Sequence, residues 1–231
     1  MKKLFIISLL AMLCIGMAQA QLPKLSNKEI KQGWTLLFDG KTSNGWKSYR
    51  TDRPFPESGW VIEKGVLSIQ PSSRAGDIVT IEEFSDFELS LEFRISKGAN
   101  SGIKYFILPG TNLGCEFQIL DDENHPDAKE GKNGNRLQGS LYDMIPPQGK
   151  KDKPVEKWNH ARIISKGNHV EHWLNGKKIV EFERGSDTWK KLVAESKYVS
   201  NPGWGTPVKS PILLQDHNDL VSFRNIKIRR L

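Results

Sequence analysis

The segment Phe87-Glu88-Leu89-Ser90-Leu91-Glu92-Phe93-Arg94-Ile95 alternates apolar and polar residues without a break. Successive side chains of an extended strand point to opposite faces, so Phe87, Leu89, Leu91, Phe93 and Ile95 share one face and Glu88, Ser90, Glu92 and Arg94 the other. An apolar face of that length needs a second apolar layer to cover it. The same alternation sets Cys115, Phe117 and Ile119 inward and Glu116 and Gln118 outward, and puts Leu213, Gln215 and His217 on one face. Arg162 to Ile164, Val170 to Leu174 and Lys178 to Phe182 read as further strands, with Asn175-Gly176 a hairpin turn suited to positive φ, and Val221 to Arg230 closes a sheet. Short strands separated by Gly, Pro, Asn and Asp predict an all-β fold, a two-sheet antiparallel sandwich.

Two stretches depart from this rhythm. Ser26-Asn27-Lys28-Glu29 has the spacing of a capping box and Gly33 ends the turn it starts, so residues 21–32 are a short lead-in and 33–231 a single β-sandwich domain. Asp187 to Tyr198 lacks strand alternation and predicts a short helix with Trp189, Leu192 and Val193 inward, followed by a Pro/Gly loop at Asn201 to Pro207.

Met1-Lys2-Lys3, the apolar run Leu4 to Met17 and Ala18-Gln19-Ala20 have the three regions of a secretory signal, residues 1–20, with cleavage expected after Ala20. The run is shorter than the roughly 20 residues of a spanning helix. Ala11-Met12-Leu13-Cys14 lacks the small residue before cysteine that lipid attachment requires. No later segment is apolar for long enough to span a bilayer, so the expectation is a periplasmic or extracellular protein with no membrane span. Of its 2 cysteines Cys14 leaves with the signal, and Cys115 remains without a disulfide partner, so stability must come from a core. The formal charge of +7 is spread without a basic stripe, and Lys150-Lys151-Asp152-Lys153-Pro154 reads as a solvated loop, which argues against a nucleic-acid partner.

Strands with one apolar and one polar face suit a groove that binds sugars, whose hydroxyls need carboxylates, amides and guanidinium groups beside aromatic rings. Arg94, Glu116, Gln118, Gln215, His217 and Arg224 supply the polar set, and Trp46, Trp60, Tyr142 and Trp204 the aromatic one. For any one of these residues the alternative is a sheet face wetted by solvent. The acidic loop Asp121-Asp122-Glu123-Asn124-His125-Pro126-Asp127 offers Asp121, Asp122 and Asp127 as candidate ligands for a divalent metal, without the glycine and terminal glutamate of a helix-loop-helix calcium site. His169 and His172 project to different faces of a strand and read as structural, and Cys115 as core. Glu-x-Asp-x-x-Glu, the paired-acid strand of many sandwich glucanases, is absent, which disfavours ordinary two-carboxylate hydrolysis.

Taken together and in order, several segments resemble the 3-keto-disaccharide hydrolase family. They are Gly33-Trp34-Thr35-Leu36-Leu37-Phe38-Asp39-Gly40-Lys41 with Gly45-Trp46, Asn100-Ser101-Gly102-Ile103, Glu116 to Asp121, His172-Trp173-Leu174-Asn175-Gly176, Ile212 to His217, and Phe223-Arg224-Asn225-Ile226. The resemblance implies a concanavalin A-like jelly roll that cleaves glycosides already oxidised at C3. It also implies site roles for Glu116 and Gln118 on a central strand, and for Gln215, His217 and Arg224 near the end. Where the family often has an arginine after Asn-Ser-Gly-Ile, this chain has Lys104, the candidate replacement in a substrate contact. Elimination from such a ketone requires a base for the C2 proton and an acid for the leaving oxygen. Histidines titrate near neutrality, so His217 is the expected base, with Glu116 as acid or partner. Arg224, Lys104 or a metal would face the developing enolate. The expected partners are a carbohydrate substrate and an oxidoreductase that makes the keto-sugar; no other cofactor is implied. The alternatives are a non-catalytic carbohydrate-binding module and a conventional glycosidase.

Overall fold

A computed structural model describes residues 22–49 and 53–231; the signal-like segment lies outside the described residues. The chain opens with α1 (Asn27–Lys31), β1 (Thr35–Leu36), β2 (Trp46–Ser48), β3 (Trp60–Glu63), β4 (Val66–Ile69) and β5 (Ile78–Phe84). Then come β6 (Phe87–Ile95), β7 (Asn100–Tyr105), β8 (Cys115–Leu120), β9 (Asn159–Lys166), β10 (His169–Leu174) and β11 (Lys177–Glu183). The last elements are α2 (Asp187–Glu195), β12 (Ser210–Leu214) and β13 (Val221–Arg230). In α1 the Ser26 hydroxyl accepts from the Glu29 N–H, and the Glu29 carboxylate accepts from the Ser26 N–H at 2.7 Å, the reciprocal box read in the sequence.

All pairings are antiparallel and form two sheets. An 8-stranded sheet runs β11-β10-β9-β6-β13-β4-β3 with β1 also on β13, and a 5-stranded sheet runs β2-β5-β12-β7-β8. The chain crosses between them at β1–β2, β2–β3, β4–β5, β5–β6, β6–β7, β8–β9, β11–β12 and β12–β13, so the two sheets are interleaved along the sequence. Phe87, Leu89, Leu91, Phe93 and Ile95 lie buried between the sheets. Phe93 on β6 meets Phe117 on β8 edge to face at 6.4 Å, and Phe87 meets Tyr105 on β7 at 6.0 Å. Each such side chain fully removed from water contributes about 1.5–3 kcal/mol. Cys115 is enclosed in the same layer, and burial pushes its thiol up to about 12, which leaves it inert.

Three of the aromatic residues expected to face a sugar belong to this core instead. Trp46 and Trp60 are buried, their indole N–H groups donating to the Leu37 and Gly76 carbonyls. Trp204 is buried in a ring stack with Trp189 and Tyr198. Turn-rich flanking sequence suggested surface positions, but an indole with one N–H is satisfied inside by a single carbonyl at Trp46 and Trp60, whereas Trp204, whose N–H has no partner among the described residues, is held by its ring stack.

Candidate active site

The outer face of the 5-stranded sheet carries the pocket. On β7, Asn100, Gly102 and Lys104 share that face, and on β8 the paired residues are Gln118 opposite Gly102 and Glu116 opposite Lys104. All four polar side chains are buried, because other parts of the chain roof the sheet. The Lys104 ammonium lies 3.7 Å from the Glu116 carboxylate and donates to the Asn112 carbonyl at 3.2 Å. Gly102 is what lets Glu116 lie flat across the strands: a Cβ there would stand 2.3 Å from Glu116 Oε1.

The chain leaving β12 supplies the next wall. The Gln215 N–H donates to the Gly102 carbonyl at 3.0 Å, and the Gln215 carbonyl accepts from the Ser101 hydroxyl at 2.7 Å. Asp216 accepts from the Gly76 and Asn218 N–H groups, and Asp219 accepts from the Asn100 N–H. These bonds fix a short loop from which His217 reaches the mouth. With its amide oriented so that both ends are satisfied, Gln215 donates to Glu116 Oε1 at 3.2 Å and accepts from Lys104 Nζ at 2.8 Å, with His217 Nε2 3.1 Å from the amide. Gln118, oriented likewise, donates to Glu116 Oε1 at 3.2 Å. Glu116 is thus the acceptor at the centre of the network, and Gln215 links it to His217.

Residues 121–158, between β8 and β9, roof the pocket. The Tyr142 N–H donates to the Glu116 carbonyl, and Leu141 bridges to Phe117, so this excursion extends the β8 edge. It brings in Tyr142, whose hydroxyl faces Asp127; burial and that carboxylate raise its pKa. It also brings His125, whose Nδ1 accepts from the Asp127 N–H at 3.1 Å, so the proton of the neutral ring is on Nε2. The remaining side is Lys197 and Tyr198, on a 3-10 turn (Lys197–Ser200) after α2. The enclosed space is about 330 Å³, room for a sugar ring.

Of the residues singled out in the sequence, Glu116, His217, Lys104, Gln118, Tyr142, Gln215 and Asp127 line this pocket. Arg94 and Arg224 do not. They stand on the outer face of the other sheet, both against the Trp158 ring, with Arg224 donating to Glu92 at 2.5 Å. The polar side of β6 and that of β8 face opposite ways out of the sandwich, a distinction alternation within one strand does not contain. The three acids do not converge on one point either. Asp121 accepts from the Gly98, Glu123 and Asn124 N–H groups and caps its own turn. Asp122 accepts from the Gln138 N–H and pairs with Lys150, while Asp127 pairs with Arg136. Among the described residues, ligand atoms converge only at His169, Glu171 and Glu181, where Lys178 already bridges the two carboxylates.

Asn100, His125, Lys197 and Tyr198 also line the pocket and were not singled out. Asn100 could have been reached by counting back in twos from Lys104. The others sit on loops, where no periodicity points at them. A second cavity of about 470 Å³ lies on the outer face of the 8-stranded sheet, near Ser90, Glu92, His160 and Arg224. Ion pairs Arg224–Glu92 and Lys227–Glu29 lie on it, and Ser90 Oγ is 2.8 Å from His160 Nε2. There Glu92 is held by Arg224 and His160 by Ser90, whereas in the first pocket Gln215 joins Glu116 to His217.

Residues 33–229 match the family described as 3-keto-alpha-glucoside-1,2-lyase-like domain. A relative from Bacteroides thetaiotaomicron, named 3-keto-disaccharide hydrolase, is 36% identical over 231 residues, covering 86% of this chain and 79% of that protein. A solved structure from Parabacteroides distasonis, named only provisionally as a glycosyl hydrolase, matches with a TM-score of 0.82 at 33% identity, over 91% of this chain and 100% of that one. A second from the same organism, named in the same way, has a TM-score of 0.64 at 28% identity, over 86% of this chain and 99% of that one. Fold, pocket and relatives define an enzyme of the glycoside-hydrolase class built on a concanavalin A-like sandwich. The chain belongs to the family of 3-keto-alpha-glucoside-1,2-lyase-like domains, that of the 3-keto-disaccharide hydrolases.

Proposed function

We propose that the pocket cleaves glycosides already oxidised at C3 of the sugar, by elimination across C1–C2 followed by addition of water. The observation that carries this reading is the chain Glu116–Gln215–His217, two proton-transfer groups joined through one amide in a pocket that also holds Lys104. Its support from relatives is the family's description and the name of the Bacteroides protein. Glu116, paired with Lys104 and accepting from two amides, suits the group that takes the C2 proton. His217 at the exposed mouth suits the group that gives a proton to the departing oxygen. These roles reverse the ones expected from residue type. Water then enters at C1 and a proton returns to C2, with the same pair acting in the opposite sense.

The ketone must come from an oxidoreductase acting on the glycoside beforehand. Export belongs to the same proposal, with Gln21 the first residue of the mature chain in an envelope preparation.

The test is turnover of a 3-keto-glucoside beside the unoxidised glucoside, with release of the leaving group expected only from the first. Binding of both without cleavage would replace the enzyme reading by a carbohydrate-binding module. Glu116→Gln and His217→Ala should each slow the reaction by roughly 10²-fold or more. A nitrophenolate leaving group, which needs no proton, should restore His217→Ala and not Glu116→Gln; the opposite pattern would exchange the two roles. Activity lost to a chelator and regained with a divalent ion would add a metal.

A further inference from the structure

The Tyr198 side chain is 3% exposed, yet its hydroxyl makes no hydrogen bond among the described residues. The residue borders the pocket that holds Glu116. The hydroxyl is not one of the interior side-chain atoms sealed from solvent without a partner, so it keeps solvent contact and can donate to a ligand in the pocket. Its position is strongly determined. Its ring stacks on Trp204 at 4.1 Å, Trp204 on Trp189 at 5.3 Å, and Trp189 on Phe182 at 5.3 Å, a four-ring column rooted on β11. Its N–H donates to Ser196 Oγ at 3.1 Å, and the preceding Lys197 N–H donates to Asp143 Oδ2 at 2.8 Å. Arg136 holds the other oxygen of Asp143 at 2.7 Å.

Lys197 enters the same pocket from the same turn. Its ammonium stands 4.1 Å from the centre of the Tyr142 ring and 5.4 Å from that of Tyr198, with no carboxylate in ion-pair range among the described residues. Burial against these rings lowers its pKa, so the ammonium gains from any anion brought beside it. For Tyr198, burial first and the Glu116 charge second raise the phenol well above its ordinary value, so it donates a proton in a hydrogen bond without giving it up.

We propose that the Lys197 ammonium and the Tyr198 hydroxyl together receive the C3 oxygen of the substrate, as the oxyanion site for the enolate. The inference rests on the keto-glycoside reading above. When the base takes the C2 proton, the C2–H electron pair becomes the C2–C3 double bond and the carbonyl pair moves onto the C3 oxygen. When that oxygen returns its pair, C1–C2 becomes the double bond and the C1–O pair leaves with a proton from the acid. Electrons and protons balance, and no oxidant or reductant is consumed. The negative charge on C3 oxygen exists only between the two events, so donors aimed at it act mainly on kcat and little on KM.

The test uses the full chain with Tyr198→Phe, which keeps the ring column, and Lys197→Met. Two readouts are taken: kcat and KM on a 3-keto-glucoside, and exchange of the C2 proton of 3-keto-glucose for deuterium, followed by NMR. Each variant should lower kcat by about 10²-fold with KM little changed, and exchange should fall in parallel. A merely structural role for Tyr198 would leave exchange per folded molecule intact, and thermal unfolding of Tyr198→Phe should match wild type. Cleavage and exchange at the wild-type rate in Tyr198→Phe would overturn the oxyanion site and leave the keto-glycoside reading standing. A wild-type protein that neither cleaves nor exchanges would overturn both.

Discussion

Tyr105 on β7 and His172 on β10 meet across the interior of the sandwich, the hydroxyl oxygen of one 2.6 Å from Nε2 of the other. They join the two sheets through a polar contact in an apolar layer. His172 Nδ1 lies 3.1 Å from the Gly139 carbonyl and can only donate to it, so Nε2 is the acceptor of the tyrosine proton. The neutral ring gives the phenol proton an acceptor; a charged ring would instead donate to the Tyr105 oxygen and leave that proton without its partner.

Stability should therefore depend on pH through His172. Burial lowers its pKa to about 4, below the value near 6.5 of an unfolded chain, so the unfolded state binds the extra proton between those limits. The contribution is complete above pH 6.5 and is lost as pH falls toward 4, about 3 kcal/mol in all. Urea unfolding from pH 8 to pH 4 measures it, and His172→Gln should flatten the difference. Identical pH slopes in the two proteins would show that the ring is not the titrating group.

Gly102→Ala should disable the pocket without breaking the fold. The added methyl would lie 2.3 Å from Glu116 Oε1, so the carboxylate must leave its two amides and Lys104. A local overpacking of this kind costs about 1–3 kcal/mol of stability. Turnover should fall about as far as in Glu116→Gln, roughly 10²-fold. Turnover at the wild-type rate would show that the carboxylate need not lie there.

Arg94→Ala and Arg224→Ala should leave turnover at the wild-type level. Both guanidinium groups lie on the far sheet against Trp158, and the pairing of Arg224 with Glu92 is partly exposed, worth at most about 1 kcal/mol. Gln118→Ala, with a similar loss of polar atoms, should reduce turnover because its amide donates to Glu116. Steady-state kinetics on the three variants separates the faces, and a slow Arg224→Ala protein would put the chemistry on the wrong sheet.

Arg184 should be a stability residue out of proportion to its distance from the pocket. It is 6% exposed, lies over the Phe106 ring at 3.5 Å, and donates to the carbonyls of Gly205, Pro207 and Gly167. Arg184→Met would leave those carbonyls without the charged donor, a loss of about 3 kcal/mol. Arg184→Lys keeps the charge and loses the fork, so it should recover only part of this in urea melts.

Alternation made the fold legible because Phe87 to Ile95 and Cys115 to Ile119 each fix their own inner and outer sides. β13 falls at Val221–Arg230, the bounds its pattern suggested, and α2 buries Trp189 as read. A period of two says which residues share a face, and not which of two outer faces belongs to the pocket. Arg94 and Glu116 therefore looked equivalent, although their strands lie in different sheets. His125, Lys197 and Tyr198 come from loops brought together by long-range pairing, such as the Lys197 N–H to Asp143 bond, and no local spacing records that. Asp121 and Asp122 are ambiguous in the sequence for a related reason: a carboxylate that caps turns has the same local appearance as one that binds an ion.

The space denied at Gly102 also bears on how such an enzyme can diversify. The floor of the pocket leaves no room for trial side chains, since even a methyl on that strand collides with the carboxylate beside it. The rim is built differently, from two connections, the excursion between β8 and β9 that carries His125 and Tyr142 and the turn that carries Lys197 and Tyr198. New leaving-group preferences can therefore arise by substitution or insertion in one rim loop while the proton-transfer floor is inherited unchanged. Relatives with different substrates should thus differ most around residues 121–158 and 187–207 and least along β7 and β8.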